Sequence, residues 1–529
     1  MTRTLLTNAI IIDGSGGKKF KGSILVTDAK IDKVIREGEG LPSHDVLTDL
    51  RGLVLAPGFI DVHSHADNAP FLSDADTSKI LQGVTTEVIG NCGFSLAPRS
   101  SGSAEVFEKY SLRIFPELDW RWETFGEFLS AADSAGYVTN IAPLIGHHSL
   151  RIAVMAMENR APRAEEIKLM LRFMDEALDA GVFGMSTGLI YPPGVFAQHE
   201  EISALVRNLP DNAIYTTHMR GEGVQLFQSI AEALRVGEET GRRVQISHLK
   251  AAGRPNWGRM NEALEKIEAA RSRGVIVTQD IYPYTAGSTM LTACLPPWFQ
   301  EGGNDRVIER LKDKKALKDL SEEIQQSTGD WENMIVGAGW NGIVVSSTGS
   351  HNYESESLEA IGKRLGIAPL DALVKVLLAE ELRASMIVHQ MSEEDVVTAL
   401  QNPYTMIGSD GLPPGTGGRP HPRTYGTFPR ILARYSRELG VFGLEEAARR
   451  MTSLPASTFG LTDRGVIAVG KQADLVCFDP EKIQDLATFD DPVQTPQGIP
   501  WVMVNGSVTV QDGIFQGSKF GQRLTRKVT

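Results

Sequence analysis

The sequence predicts an α/β fold in which a (β/α)8 TIM barrel is flanked by a β-sandwich domain formed by both chain termini. From residue 58 onward, eight apolar segments that each end in polar residues alternate with helical patterns, which is typical of a (β/α)8 barrel. The two ends of the chain instead alternate short apolar runs with turn signals, which favours β-strands.

These patterns give the predicted domain boundaries. Residues 1–57 and 455–529, with runs such as NAIIID and ADLVCFD, form the two parts of the β-sandwich, and residues 58–454 form the barrel. The chain after Tyr284 is too long for a plain loop and contains a helical pattern, DRVIERLKDKKALKDLSEEIQQ, and a strand-like GIVVSS. We therefore predict a small inserted subdomain after strand 7, at about 289–347.

The eight predicted barrel strands are, in order, GFIDVHSH, TTEVIGNCG, NIAPLIGHH, VFGMSTG, AIYTTHM, VQISHLK, VIVTQDIYPY and YTMIGSDG. Helical patterns between them include AEEIKLMLRFMDEALDAG, VQLFQSIAEALRVGEETG and MNEALEKIEAARSRG, the last of which ends in arginines and a glycine stop signal.

Composition narrows the class of function. The chain has 529 residues, 42% apolar and 22% charged, as in ordinary globular proteins. Its net charge of -13 argues against nucleic-acid binding, and no apolar run approaches the roughly 20 residues of a membrane span.

Three scattered cysteines and a start that resembles a strand rather than a signal peptide predict a cytoplasmic location. We expect a small-molecule substrate; the oligomeric state stays open.

Metal-ligand residue types collect at the predicted strand ends. His63 and His65 end the first strand, His218 the fifth and His248 the sixth, although the chain has only 11 histidines. Alternate residues of a strand point the same way, so His63 and His65 can reach one ion while Ser64 faces elsewhere. A single histidine is usually structural, but four at the functional end of a barrel predict a metal site.

Two further strand ends carry polar side chains. Asp410 ends strand 8 in IGSDG; it is either a turn residue before glycine or, opposite the histidines, a carboxylate that takes a proton from water and passes it to a leaving amine. His147, His148 and Arg151 follow strand 3. A structural role is favoured for these, since adjacent histidines cannot both point into the barrel and only one can line the pocket.

Together these residues resemble the amidohydrolase superfamily. The resemblance rests on DVHSH, the strand-5 and strand-6 histidines and the strand-8 Asp, framed by NAIIIDG and KQADLVCFDP. It covers nearly the whole chain and implies a metal-dependent barrel flanked by a β-sandwich. Within it, the details resemble the N-acyl-D-amino-acid deacylases, or D-aminoacylases, which also carry a small extra domain at the insertion.

Strand 4 separates this group from other relatives. Many relatives bridge two metals with a carbamylated lysine there, but VFGMSTGLIYPPG contains no Lys. The resemblance instead implies that Cys92 in GNCGF is a ligand, because a thiolate binds zinc well; a small buried hydrophobe is the alternative. The implied cofactor is one tightly bound Zn²⁺, with a second, weaker position. The implied ligands are His63, His65, Cys92, His218, His248 and Asp410.

The resemblance also implies a site for the substrate carboxylate. SHLK, DIYPYTAGST and HPRTYGTFPR supply Lys250, Tyr282, Ser288 and Arg423. Arginine offers a planar two-pronged donor and lysine a point charge, which together suit a carboxylate.

The implied activity is zinc-dependent hydrolysis of the amide bond of N-acyl-D-amino acids. Two alternatives stay open: a cyclic amidase of the hydantoinase or dihydroorotase type, against which the missing strand-4 Lys argues, and a catalytically inactive barrel that serves as a binding module. The sequence does not predict which side chain or acyl group is preferred.

Overall fold

The computed structural model describes residues 2–326 and 329–527. The strands are β1 (Arg3–Ile11), β2 (Phe20–Thr27), β3 (Lys30–Arg36), β4 (Val46–Asp49), β5 (Val54–Pro57), β6 (Phe59–Asp61), β7 (Val84–Ile89), β8 (Asn140–Pro143), β9 (Ile145–Gly146), β10 (Gly184–Gly188), β11 (Ile214–His218), β12 (Arg243–Ile246), β13 (Val277–Ile281), β14 (Ala286–Met290), β15 (Ile343–Thr348), β16 (Ala384–His389), β17 (Thr405–Ile407), β18 (Leu475–Phe478), β19 (Trp501–Val504), β20 (Ser507–Gln511) and β21 (Ile514–Phe515).

The α-helices are α1 (Ala104–Ser111), α2 (Phe125–Ala135), α3 (His147–Met155), α4 (Ala164–Asp179), α5 (His199–Arg207), α6 (Leu226–Thr240), α7 (Met260–Ser272), α8 (Pro297–Gln300), α9 (Asn304–Lys312), α10 (Lys314–Gln326), α11 (Met334–Ala338), α12 (Leu358–Leu365), α13 (Pro369–Ala379), α14 (Glu393–Gln401), α15 (Arg423–Arg430), α16 (Leu444–Met451) and α17 (Ser453–Phe459). A π-helical turn, Ile431–Glu438, continues α15. Among the described residues, no helix is long and apolar enough to cross a membrane.

Parallel strands form the predicted barrel. One sheet has the order β6-β7-β8 and the other the order β9-β10-β11-β12-β13-β17. Only Leu144 separates β8 from β9, so the two act as one bent barrel strand. A parallel bridge between Ser64 and Gly411 connects the segments after the first and last barrel strands. The (β/α)8 architecture is therefore confirmed, with strand ends that meet at one face.

Both chain ends contribute to the flanking domain. β5 pairs with β1 in parallel and with β18 antiparallel. One hydrogen-bonded sheet therefore has the order β21-β20-β19-β18-β5-β1-β2-β3, with β4 beside β1. Its apolar core includes Leu6, Leu55, Leu475 and Trp501. Burial of residues from both ends in one core explains why each end is rich in short apolar runs.

The chain leaves the barrel between β13 and β17. β14, β16 and β15 form an antiparallel sheet, in that order, accompanied by α8 to α13. The central strand β16 lies beyond residue 347, so this sheet draws on chain outside the predicted 289–347 insertion. The predicted helical run 305–326 is divided into α9 and α10, because Asp313 accepts a hydrogen bond from the Ala316 amide (3.0 Å) and caps the second helix.

Candidate metal centre

The first and last barrel strands bring two histidines to a carboxylate. The backbone amide of Asp410 donates to the carbonyl of His63 (2.7 Å). His63 Nε2 and His65 Nε2 then lie 3.4 and 3.2 Å from Asp410 Oδ1. The intervening Ser64 turns away and donates its hydroxyl to Glu87 Oε2 (2.7 Å). Both imidazoles therefore face Asp410 from the segment after β6, as strand-like alternation of side chains predicts.

Cys92 occupies a tight turn directly after β7. Its φ is +54°, and the flanking Gly90 and Gly93 have φ of +78° and +79°, a region that glycine adopts without strain. A Cβ on Gly90 would lie 2.1 Å from the carbonyl oxygen of Leu144. The glycines of GNCGF are thus needed for the turn that directs the thiol into the barrel.

The Cys92 sulfur is shared by two groups of ligand-type side chains. Its Sγ lies 3.1 Å from His63 Nε2, 3.6 Å from His248 Nε2 and 3.7 Å from His218 Nδ1. Within each group, the ligand-type atoms lie within 4.8 Å of one another. The groups are His63, His65, Cys92 and Asp410, and Cys92, His218 and His248.

The electrostatics of this cluster favour anionic ligands. Burial alone would raise the pKa of the Cys92 thiol, but the charge of His63 and hydrogen bonds from His218 and His248 hold that pKa well below its ordinary value. Burial likewise opposes ionisation of Asp410, yet Arg423 and then His63 hold its pKa well below its ordinary value. The surroundings therefore favour the thiolate form of Cys92 and the carboxylate form of Asp410.

The donor set fits a zinc-type cation. Thiolate, imidazole and carboxylate are the ligands that zinc takes in proteins. His63 Nδ1, His65 Nδ1 and His218 Nε2 are buried without a hydrogen-bond partner among the described residues. Burial of imidazole nitrogens without hydrogen-bond partners costs free energy, and a bound cation would offset that cost.

Backbone strain coincides with this cluster. Cys92, His248 and Asp410 have φ of +54°, +34° and +49°, a left-handed region that non-glycine residues seldom adopt. Such conformations persist where the surrounding structure imposes them, and they concentrate at functional sites. The three residues come from three different strand ends.

The first and last residues of strand 4 have no space for a side chain. A Cβ on Gly188, the last residue of β10, would lie 2.1 Å from the carbonyl oxygen of Cys92, and one on Gly184 would lie 1.9 Å from the carbonyl oxygen of Ile214. The Cys92 turn therefore occupies the volume beside the end of β10.

Arg423 connects the carboxylate to the predicted substrate-binding residues. Its Nη1 lies 2.9 Å from Asp410 Oδ2, and its guanidinium carbon lies 4.6 Å from the centre of the Tyr282 ring. Its Nη2 donates to the backbone oxygen of Ser288 (2.9 Å), whereas the Ser288 hydroxyl donates to the carbonyl of Met386 (2.8 Å). Arg423 is fully buried, and its Nε has no hydrogen-bond partner among the described residues.

Lys250 also lies close to Tyr282. Its Nζ lies 5.6 Å from the centre of that ring, 2.8 Å from His248 Nδ1 and 2.6 Å from Glu222 Oε1. Glu222 was not identified from the sequence. It follows His218 by four residues in a loop, where no periodic pattern marks its orientation.

A second buried carboxylate was also missed. Asp280, in β13, accepts a hydrogen bond from the backbone amide of His248 (2.9 Å), and its Oδ1 lies 3.6 Å from His63 Nδ1. It contacts the side of His63 that faces away from Cys92. At this distance the carboxylate forms no hydrogen bond with His63, and its direct bond is to the His248 backbone. Its position inside an apolar strand pattern was the available signal.

The residues after β9 lie outside the cluster. His147 Nε2 and Arg151 Nη1 contact the two carboxylate oxygens of Glu201 at 2.8 and 2.5 Å. His148 Nε2 contacts the carbonyl of Gly188 (2.8 Å), and burial lowers the pKa of His148 to about 3. These contacts show that the three residues support the fold around the Cys92 turn.

A cavity of about 310 Å³ lies beside Ser288. Its lining also includes Leu412 and Thr424, which follow closely on Asp410 and Arg423 in the chain. The cavity is therefore lined by chain neighbours of the Arg423–Asp410 pair and not by the pair itself.

Comparisons with known proteins agree with this geometry. A model of the amidohydrolase family matches residues 46–510. D-aminoacylase from Alcaligenes xylosoxydans xylosoxydans is 38% identical over 524 residues, which cover 99% of this chain and 97% of the relative. A crystal structure of D-aminoacylase matches with a TM-score of 0.81 and 36% identity over 99% of each chain. N-acyl-D-glutamate deacylase from Bordetella bronchiseptica, complexed with zinc and a phosphonate inhibitor, matches with a TM-score of 0.80 and 33% identity over 99% of each chain.

Proposed function

The chain belongs to the amidohydrolase family, and we propose that it is a zinc-dependent deacylase that converts N-acyl-D-amino acids into a carboxylate and a free D-amino acid. The observation that carries the proposal is the convergence of Cys92, His218 and His248 in a barrel whose fourth strand contains no lysine. The preference for the D configuration is supported by the similarity to D-aminoacylase.

Two overlapping sets of residues would hold metal. Cys92, His218 and His248 supply the tighter position, because a thiolate and two imidazoles are strong zinc ligands. His63 and His65, with Asp410 and Cys92, supply a second, weaker position. When bound, zinc supplies Lewis acidity toward the amide carbonyl and the attacking water.

Asp410 is the proposed proton carrier. Because its pKa is held low, it is ionised at neutral pH and can accept the proton that the attacking water loses. It then returns that proton to the amine as the C–N bond breaks, so one side chain acts first as base and then as acid. His65 Nε2, 3.2 Å from Oδ1, and Arg423 Nη1, 2.9 Å from Oδ2, hold its carboxylate in place.

Arg423 and Lys250 are proposed to hold the free carboxylate of the substrate. The Arg423 guanidinium lies over Tyr282, and its Nε–H has no hydrogen-bond partner in the described part of the chain, so it can donate to a second carboxylate while it holds Asp410. Lys250 adds a point charge near the same ring. Tyr282 and Ser288 complete the proposed pocket. The backbone oxygen of Ser288 accepts a hydrogen bond from Arg423.

A substrate panel tests the proposal. The panel contains matched N-acetyl-D- and N-acetyl-L-amino acids, a hydantoin and dihydroorotate, with zinc content measured on the same preparation. We expect release of free D-amino acids by zinc-containing protein and little turnover of the L-amides or the cyclic amides. Preferential opening of the cyclic amides would favour the cyclic amidase, and a folded, metal-free protein without turnover would favour the inactive barrel.

A further inference from the structure

Glu222 is a buried carboxylate that faces both histidines of the tighter metal position. Its Oε1 lies 3.0 Å from His248 Nδ1, and its Oε2 lies 3.7 Å from His218 Nε2. In both rings these are the nitrogens opposite to those that face Cys92. One side chain thus reaches the outer edge of both imidazoles.

Lys250 competes with Glu222 for the same nitrogen. Lys250 Nζ lies 2.8 Å from His248 Nδ1, and a protonated lysine can only donate. If His248 Nδ1 accepted that hydrogen, the neutral ring would carry its proton on Nε2, the nitrogen that faces Cys92. A proton on Nδ1 leaves Nε2 free to bind metal, and this requires an acceptor at Nδ1. Glu222 Oε1 is that acceptor, and it also binds Lys250 Nζ at 2.6 Å.

The inserted subdomain holds the loop that carries Glu222. The carboxylate of Glu332 accepts hydrogen bonds from the backbone amides of Glu222 (2.8 Å) and Gly223 (3.0 Å). A Cβ on Gly223 would lie 2.7 Å from Glu332 Oε1, so a side chain there would displace this carboxylate. The inserted subdomain therefore reaches the metal position through Glu332 and Glu222.

We propose that Glu222 is a positioning residue that sets the metal-binding tautomer of His248 and places a negative charge beside His218, and that Glu332 of the insertion holds Glu222 in place. The inference rests on the proposed function in that Cys92, His218 and His248 are taken as ligands. It assigns a role to the insertion, which completes the metal site from outside the barrel.

The test measures zinc affinity by competition with a chromophoric chelator, without substrate. Glu222→Gln should weaken zinc binding about 10- to 100-fold, the usual effect of removing a carboxylate that orients a histidine ligand. Glu201→Gln is the matched control, because Glu201 is an equally buried partner of a histidine, His147, outside the cluster. It should lower thermal stability and leave zinc affinity unchanged.

Two further variants keep the inference testable if Glu222→Gln does not fold. Glu222→Asp keeps the charge but, because its side chain is shorter, moves the carboxylate away from the imidazoles. Its zinc affinity should therefore lie between those of Glu222→Gln and the unsubstituted protein. Glu332→Gln should weaken zinc binding less than Glu222→Gln does. Its effect should be smaller still in a Glu222→Gln background, because Glu332 acts on the metal position through Glu222. Unchanged zinc affinity in a folded Glu222 variant overturns the inference, whereas absence of zinc from the unsubstituted protein overturns the proposed function instead.

Discussion

The carbonyl oxygen of Cys92 lies 2.1 Å from the position that a Cβ on Gly188 would occupy. The backbone of the turn that carries the thiol therefore leaves no space for a side chain at the end of the fourth barrel strand. This relationship gives a steric reason for a glycine at position 188.

Gly188→Ala tests this relationship. The added methyl should displace the Cys92 turn, cost about 1–3 kcal/mol of stability as overpacking does, and reduce the zinc content of purified protein. Metal analysis and thermal unfolding measure the two effects. Gly102→Ala is the control, because a Cβ there meets nothing within 4 Å. Full zinc content in Gly188→Ala would show that the turn does not depend on this contact.

Asp410→Asn tests the proton carrier. An amide cannot accept the proton of water, so turnover should fall about 10²- to 10⁴-fold, while zinc bound by Cys92, His218 and His248 should remain. Steady-state kinetics and metal analysis on the same sample separate the two. Asp485→Asn is the matched control, since Asp485 also pairs with an arginine, Arg430. Near-normal turnover in Asp410→Asn would reject the assignment.

Arg423→Met tests the ion pair with Asp410. Arg423 is the foremost group that lowers the pKa of Asp410 against the effect of burial, so its removal should raise that pKa. A base acts only above its pKa, so the acid limb of the kcat–pH profile should move to higher pH. KM should rise as well, because a substrate contact is lost. Arg430→Met, at an arginine that packs on Tyr284, should leave the profile in place; an unmoved acid limb in Arg423→Met would contradict the prediction.

Glu201 and His147 are predicted to be structural. His147 and then Arg151 lower the pKa of Glu201 against the effect of burial. A depressed pKa in the folded state contributes stability above the unfolded-state pKa, and this contribution is lost as the pH falls through the folded pKa. Glu201→Gln should therefore cost about 3–5 kcal/mol at neutral pH, as loss of a buried pair does, and less in acid. Thermal unfolding at several pH values measures it. An equal cost at all pH values would reject the assignment.

The barrel and its ligand-type residues were predictable because they follow local rules. Apolar segments mark the strands, and the strand ends meet at one face, so His63, His65, His218 and His248 converge without any knowledge of loops. Cys92 was predicted as a ligand from the resemblance to the D-aminoacylases, supported by the absence of a lysine on strand 4.

The missing features depend on contacts between distant parts of the chain. Glu222 meets His248, and Glu332 meets Glu222 across 110 residues; neither contact leaves a periodic trace in the sequence. The strand β16 could not be assigned to the insertion for the same reason, since its partner β14 is far away in the chain. Asp313 is a residue type that caps helices, but it lies within a continuous helical pattern. The sequence therefore did not predict the division into two helices.

Zinc content and deacylation measured together on Cys92→Ala test the central claim most directly. Cys92 is the only side chain shared by both ligand-type groups among the described residues, so its loss should remove most of the bound zinc and, with it, hydrolysis of N-acetyl-D-amino acids. Cys477→Ala is the control, because Cys477 is buried in the core of the flanking domain. Full zinc content and undiminished deacylation in a folded Cys92→Ala protein would contradict the account.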